Sequence, residues 1–506
     1  MKYSERNVDM LHGRLVGKLF FFTLPIALSS MLQQLFNAAD TFVVGLFGNA
    51  DALAAVGINA EIVALIVTVS SGLSVGVNVL ITNRIGKNQH AALPSFLQTA
   101  VLLAMAIGVV GATAGQAVAE PLLQLMQTPN DIMPSALAYL RVYLAGYPFL
   151  LLYDFGAAVL RARGDSRFPF FALVLSGAAN VLLNFLFASL GGGVAGVAAV
   201  TDIAAALSAT LVLYRLARDP AFRLSLKNPR IGWHAVGEIL KTGIPSALQG
   251  AVFCFANLFV QRAVNRFGSE VIAGSTVAVH FEYFAYYVIT AFGQTATTFA
   301  GQNHAAGQTA RCRKILWLCL MLSFVCSLPL IVPVVVFRTF FAGLFSDEAP
   351  VVASACVRIL CILLYEPICS LYEIPAGVLR GMGHAFLPAL DTVLGTCAFR
   401  IIWIFTIFRA HPSPEMLYRA FPLSWVATVI LILFSFLAVR PFRDAGDTRG
   451  VRGAPPRTPV KDLLGKVLDN PQNLLRGGRE GLSLRMGDCE KQSTCIFGVE
   501  KSVGAD

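Results

Sequence analysis

Charge is what this chain has least of. Only 13% of its 506 residues are Asp, Glu, Lys or Arg, against roughly 25% in a soluble domain. Hydrophobic residues make up 56%, and the mean hydropathy is +0.67. That balance excludes a soluble globular protein and gives an all-α, polytopic membrane protein. Metal and redox motifs are missing too. The seven histidines form no HExxH pair, and the ten cysteines form no CxxC. Eight cysteines lie scattered between Cys254 and Cys397, mostly in apolar runs, where they read as small core residues. With no Ser–Lys or paired-Asp protease motif and no nucleotide loop, a membrane-embedded enzyme is not expected, and no cofactor is implied. No cleavable signal peptide is expected either, because the first apolar run is too long and the charged stretch from Lys2 to Lys18 precedes it. The formal charge of +10 fits basic loops on one side of a membrane rather than a nucleic-acid partner.

A spanning helix needs about 20 apolar residues. Twelve runs qualify, near 17–47, 54–83, 95–118, 135–160, 168–190, 194–216, 237–264, 271–300, 315–341, 351–379, 386–408 and 417–439. The loops between them alternate in charge. Lys2/Arg6/Arg14/Lys18, Arg84/Lys87, Arg161/Arg163/Arg167, the basic 215–230 stretch, Arg311/Arg313/Lys314, Arg380 and Arg440/Arg443 fall on one side. Asp51, Glu120/Asp131, Arg266/Glu270, Asp347/Glu348 and Glu415 fall on the other. The positive-inside rule, with an even span count, places both termini in the cytoplasm of a cell membrane.

One span carries what lipid should exclude. In Leu24–Gly48, Gln33, Asn37 and Asp40/Thr41 share a helical face. A charge at the centre of a membrane helix costs roughly 2.5–3.5 kcal/mol on insertion scales. The stripe is either a polar seam between helices or part of an ion or substrate pathway. Asp40 favours the pathway.

The chain also repeats itself. Leu24-Pro25-Ile26-Ala27-Leu28 recurs as Ile244-Pro245-Ser246-Ala247-Leu248, an offset of 220 (245 − 25). Asn37 meets Asn257, Asn59-x-Glu61 meets His280-x-Glu282, and Val159-Leu160-Arg161-x-x-Gly164 meets Val378-Leu379-Arg380-x-x-Gly383. Each copy holds six spans, so the repeats are parallel. The expected organisation is a first six-helix lobe at 13–220, a second at 221–442, and a polar, disordered cytoplasmic tail at 443–506.

Pro25 with Asp40, VLRARGDSRFP at 159–169, VLRGMGHAFLP at 378–388 and TAFGQTATTFAGQNHAAGQ at 290–308 together resemble the multidrug and toxic compound extrusion (MATE) transporters. The likeness covers about residues 13–440. It implies two six-helix lobes facing a central cleft, and export of organic, often cationic, compounds against an inward flow of H⁺ or Na⁺. Family members with a cation site in the first lobe use the positions matching Asp40, Asn180 and Asn184, and the last is often Asp. Many sodium-coupled relatives carry a Glu in the seventh span, where this chain has Phe253-Cys254-Phe255.

The residues support the same emphasis. Ser176, Asn180 and Asn184 make one polar stripe, and Thr201 and Asp202 interrupt a Gly/Ala/Val-rich span. At about 1.5 Å per residue, Asp40 lies about 8 Å outward of the middle of its span. Asp40, Asn180, Asn184, Thr201 and Asp202 are therefore the expected coupling set. Asp40, Asn180 and Asn184 are the expected ligands if the ion is Na⁺; the alternative is a polar core joining three helices. Gln33, Gln34, Asn37, Glu282 and Glu373 are the expected cleft residues. Glu366, Asp391 and Arg400 are expected to form a polar network in the second lobe, Arg400 pairing with Glu282 or Glu373. Arg161, Arg163 and Arg167 are expected to meet lipid phosphates and carbonyls at helix C-termini, a structural rather than a substrate-binding role. The implied function is a cation-coupled antiporter with small organic substrates and lipids as its partners, working as a monomer. The alternative is a flippase for a lipid-linked saccharide.

Overall fold

A computed structural model describes residues 7–47, 50–191, 193–219 and 231–442. Lys2, Arg6, most of the basic 215–230 stretch and the 443–506 tail lie outside the described residues. Among the described residues every regular element is helical. The first six spans are α1 (Leu15–Phe47), α2 (Ala50–Gly86), α3 (Leu93–Leu125), the pair α4 (Met133–Ala145) and α5 (Tyr147–Ala162), α6 (Arg167–Ser189) and α7 (Gly193–Ala217). The second six begin with α8 (Trp233–Val264), α9 (Ser269–Ala305) and α10 (Thr309–Val336), followed by the short α11 (Arg338–Gly343). The tenth span is α12 (Ala349–Cys361), a 3₁₀ stretch at Leu363–Ile368, and α13 (Cys369–Gly381). The eleventh is α14 (Phe386–Thr392), a π-helical turn at Val393–Ala398, α15 (Phe399–Phe405) and α16 (Ile407–Ala410); the twelfth is α17 (Pro414–Val439).

Ten of these spans are long and apolar enough to cross a membrane, and α4 with α5 makes an eleventh, bent by 43°. The remaining one, α9, has 37 residues but carries Glu270, His280, Glu282, Gln294, Gln302 and Asn303, which lower its hydropathy. The bend in the fourth span follows from local chemistry. Gly146 sits at the break, and Pro148 has no N–H to continue the ladder. Pro367 lies in the 3₁₀ stretch of the tenth span. Pro25, by contrast, is accommodated inside a continuous α1.

Side chains sort by helical period. On α6, Phe171, Leu175, Leu182 and Leu186 are exposed, whereas Ser176, Asn180 and Asn184 on the opposite face are buried. In water the exposed face would be a large apolar patch; in a bilayer it is the lipid contact.

The two halves touch so extensively through α2, α8 and α9 that the described residues up to 442 pack as one body. Gly72 and Gly76 of α2 face the backbone of α8 at Ala247, Ile239 and Gly243, where a Cβ would collide. Small residues permit this approach. Polar ties follow toward the end that carries the basic loops. Thr23 pairs with Thr295 (2.8 Å), Thr298 donates to Asn78 Oδ1 (3.1 Å), and Arg84 meets Glu238 (2.6 Å). Gln302 also donates to the Ala162 carbonyl across the halves. At the same end, residues 8–13 form a strap. The Val8 N–H bonds Gly164 O of the first half, while Asn303 and Arg311 of the second bond the Met10 carbonyl. Met10 itself is buried. Toward the other end the ties between the halves thin to Cys254–Thr68 (3.9 Å) and Tyr287–Gln34 (3.2 Å), and Leu53, Phe255, Leu258 and Tyr283 are exposed. The cleft between the halves is tied shut at the basic end.

The loop arginines differ from expectation. Arg163 pairs with Asp219, Arg215 with Asp165 at 3.4 Å, and Arg161 lies in electrostatic reach of Asp154. Only Arg167 is exposed. Acidic residues packed nearby in the protein take the place expected for lipid phosphates.

Candidate functional site

Three helices meet around Asp40. Helix α1 carries it inward, α6 presents its polar stripe, and α7 brings Thr201. Asp40 is 6% exposed. Asn184 Nδ2 donates to Asp40 Oδ1 at 2.6 Å and to Asn180 Oδ1 at 3.2 Å. Thr201 Oγ1 donates to Asp40 Oδ2 at 3.3 Å, and Asn180 Nδ2 reaches Thr201 Oγ1 at 3.5 Å. Among the described residues no Lys or Arg lies within ion-pair distance of Asp40. Asn184 Oδ1 is buried without a partner. The carboxylate therefore has neutral donors but no fixed counter-charge. The oxygens of Asp40, Asn180, Asn184 and Thr201 are hard ligands of the kind a small cation takes. A proton on Asp40 satisfies the same charge balance. Tyr139 and Tyr143, stacked at 6.3 Å, lie in electrostatic reach of Asp40 and Asp202.

Asp202 does not join this cluster. Its carboxylate accepts the Gly146 backbone N–H at the break between α4 and α5. A Cβ at Gly146 would overlap that carboxylate, so the break requires glycine. Ser176 also turns away, donating to Leu173 O.

The cleft residues divide. Gln34 accepts from Tyr287 OH across the halves at 3.2 Å, Gln33 is half-buried, and Asn37 is exposed. Glu282 and Glu373 are not in the cleft. Glu282 is clamped by Arg358 through bonds of 2.7 and 2.8 Å, and Glu373 meets Arg380 at 2.5 Å. Both carboxylates are buried. Nor is there a single network of Glu366, Asp391 and Arg400. Glu366 lies near Glu282 and Arg358, Asp391 faces Ser435, and Arg400 lies elsewhere again. Arg400 donates to Ser424 Oγ (3.1 Å) and Asn257 Oδ1 (3.4 Å), and packs 4.0 Å from the Phe421 ring centroid. The carboxylates expected for it are already taken.

One acid the sequence reading passed over is Glu61. It is exposed on α2, in electrostatic reach of Tyr283 and Cys254 from the other half, and so faces the seam between the halves. The repeat held the signal, because Glu61 matches Glu282.

A family model described as MatE matches the chain twice, at residues 25–186 and 245–406. The chain is 28% identical over 396 residues to "Probable multidrug resistance protein YpnP" of Bacillus subtilis, covering 78% of this chain and 88% of that one. It is 26% identical over 355 residues to "FAD transporter" of Shewanella oneidensis, covering 67% and 77%. The fold is similar to a solved structure described as "Outward-facing conformation of a multidrug resistance MATE family transporter of the MOP superfamily". The TM-score is 0.80 at 21% identity, with 86% of this chain and 98% of that one covered.

Proposed function

The chain belongs to the MatE family of membrane transporters, and from that premise we propose that it is a cation-coupled antiporter exporting organic, mainly cationic, compounds. The observation that carries this reading is Asp40, a buried carboxylate held by Asn184 and Thr201 with no Lys or Arg in ion-pair distance among the described residues. Such an acid in a membrane span is costly unless something mobile neutralises it. H⁺ or Na⁺ enters from the end opposite the basic loops and neutralises Asp40. The hydrogen bonds joining α1, α6 and α7 then rearrange. Because ion and substrate prefer different states of the two lobes, loading one displaces the other. The positive-inside rule puts the basic end in the cytoplasm, so the described state is closed to the cytoplasm.

Glu61, Tyr283 and Tyr287 give the cleft one acid and a stacked aromatic pair at 6.0 Å, a surface suited to flat cations. Likeness to the FAD transporter supports a second reading, an anionic dinucleotide as cargo. Proteoliposomes containing the protein and loaded with ethidium separate these. Under imposed ΔpH or ΔNa⁺ the expected result is ion-driven ethidium movement that excess FAD leaves unchanged. Ethidium movement that ignores both gradients refutes the coupling. Competition by FAD refutes the cationic cargo.

A further inference from the structure

The second half holds a charged cluster set apart from the cleft. Glu282 on α9 and Arg358 on α12 are both buried, and the guanidinium grips the carboxylate through Nε–Oε1 (2.7 Å) and Nη2–Oε2 (2.8 Å). Arg358 Nη1 donates to Ser275 Oγ at 2.6 Å, and the guanidinium faces the Tyr418 and Phe421 rings at 5.3 and 5.6 Å. This pair is complete: its charges cancel and its bidentate geometry is filled.

Glu366 brings a second carboxylate into electrostatic reach of the same pair. It is 3% exposed, and its Oε2 has no hydrogen-bond partner. The other titratable groups around the cluster are Cys369, Tyr283, Tyr286 and Tyr418; behind Cys369 and Tyr286 stand Glu373, Arg380 and Arg400, of which Arg380 is bound to Glu373 and Arg400 to Ser424 and Asn257. A buried carboxylate without donors is not sustained as an anion. Sodium needs several oxygen ligands, whereas a proton needs one lone pair. The residue also sits in the 3₁₀ stretch Leu363–Ile368 that interrupts the tenth span. Mid-helix 3₁₀ geometry is a recurrent mark of a hinge.

We propose that Glu366 is a proton-binding site of the second half, set against the closed Glu282–Arg358 pair and separate from Asp40. It goes beyond the antiport reading, because it adds a protonatable acid at a break in the span where the first half, broken at the matching place, has none. Offset by 219 (373 − 154), Glu366 corresponds to Tyr147 and Arg358 to Tyr139.

Infrared difference spectra of the purified full chain, recorded between acidic and alkaline pH, test this through the carbonyl stretch of protonated carboxyl groups. The expected result is a band present in wild type, absent from Glu366→Gln and retained in Asp40→Asn. Glu282→Gln supplies an independent arm should Glu366→Gln fail to fold. Freed of its partner, Arg358 turns to Glu366 and holds it as an anion, so the band disappears at neutral pH. No band lost in Glu366→Gln, a band unmoved in Glu282→Gln, or a band that answers to Na⁺ rather than pH overturns the proposal. A band lost only in Asp40→Asn overturns it while leaving the antiport reading intact. The antiport reading fails separately, if ion-driven ethidium accumulation persists in Asp40→Asn.

Discussion

Asp40→Asn is the sharpest test of the coupling, because the structure separates its effect on folding from its effect on transport. Asparagine keeps one carbonyl oxygen to accept from Asn184 Nδ2, now 2.6 Å from the carboxylate. What is lost is charge assistance on that bond and the longer 3.3 Å contact from Thr201. Charged hydrogen bonds contribute about 1.5–3 kcal/mol and neutral ones about 0.5–1.5. The variant should therefore lose about 1–2 kcal/mol at most and still fold. Transport is affected differently. For one-for-one electroneutral exchange, a tenfold ion gradient stores about 1.4 kcal/mol and sustains about tenfold substrate accumulation. Without a group that binds the ion, the gradient exerts no force on the substrate. Steady-state accumulation of ethidium in proteoliposomes under a fixed tenfold gradient should fall from about tenfold to unity, while downhill ethidium exchange persists. Accumulation near the wild-type level in well-folded Asp40→Asn would refute the assignment of Asp40 as the coupling acid.

Three further outcomes follow from the closed end of the cleft. Arg311→Ala removes the guanidinium that bonds the carbonyls of Met10, His12 and Gly13 at 3.0–3.3 Å. These contacts are partly exposed, so about 1–2 kcal/mol is at stake, a factor of about 5–30; maleimide labelling of a Met10→Cys reporter should rise by that factor. Gly76→Ala pushes a methyl group into the Ile239 carbonyl across the halves and should cost about 1–3 kcal/mol in thermal unfolding, whereas Gly57→Ala, with open space around it, should be near neutral. The strap should also resist acid. Partial burial raises the Asp9 pKa, but the Leu11 and His12 amides and Lys18 outweigh it and hold it below its ordinary 3.8. A depressed carboxyl contributes stability above its unfolded value and loses it as pH falls through the folded one. Hydrogen-exchange protection of the Leu11 and His12 amides should therefore persist from neutral pH down to 3.8 and fade only below, while Asp9→Asn should lose it at neutral pH.

What was readable in the sequence is whatever helical spacing alone decides. Spans announce themselves by length, and the Asn180/Asn184 stripe shows its face at i, i+4. Asp40 stands out because the lipid cost of a charge is intrinsic to one residue. Pairing between spans is different, since it depends on how each helix is rotated and shifted against its neighbours. Nothing within one helix says that Arg358 and Arg380 reach Glu282 and Glu373 before Arg400 does. Combining the two repeat matches would have helped. Asp154/Arg161 and Glu373/Arg380 stand seven residues apart in corresponding spans, so each acid lies on the same helical face as its arginine.

The same repeat explains why two halves built alike need not do the same work. Glu61 and Glu282 occupy matching positions, but Glu282 faces Arg358 where the first half has Tyr139. Deprived of a guanidinium, Glu61 faces the seam between the halves. The eleventh span carries a second divergence. Pro388 matches Pro169 at an offset of 219 (388 − 169), and the π turn at Val393–Ala398 inserts one residue, so Arg400 falls opposite Asn180. Arg400 meets Asn257, the match of Asn37, and Val260 stands where the first half has Asp40. The second half thus carries a built-in cation where the first carries an acid awaiting a mobile one. An ion arriving from the cleft finds attraction in one half and a fixed positive charge at the matching place in the other. On the proposed antiport reading, that asymmetry would direct coupling ions to α1, α6 and α7, and leave the second half's response to Glu366.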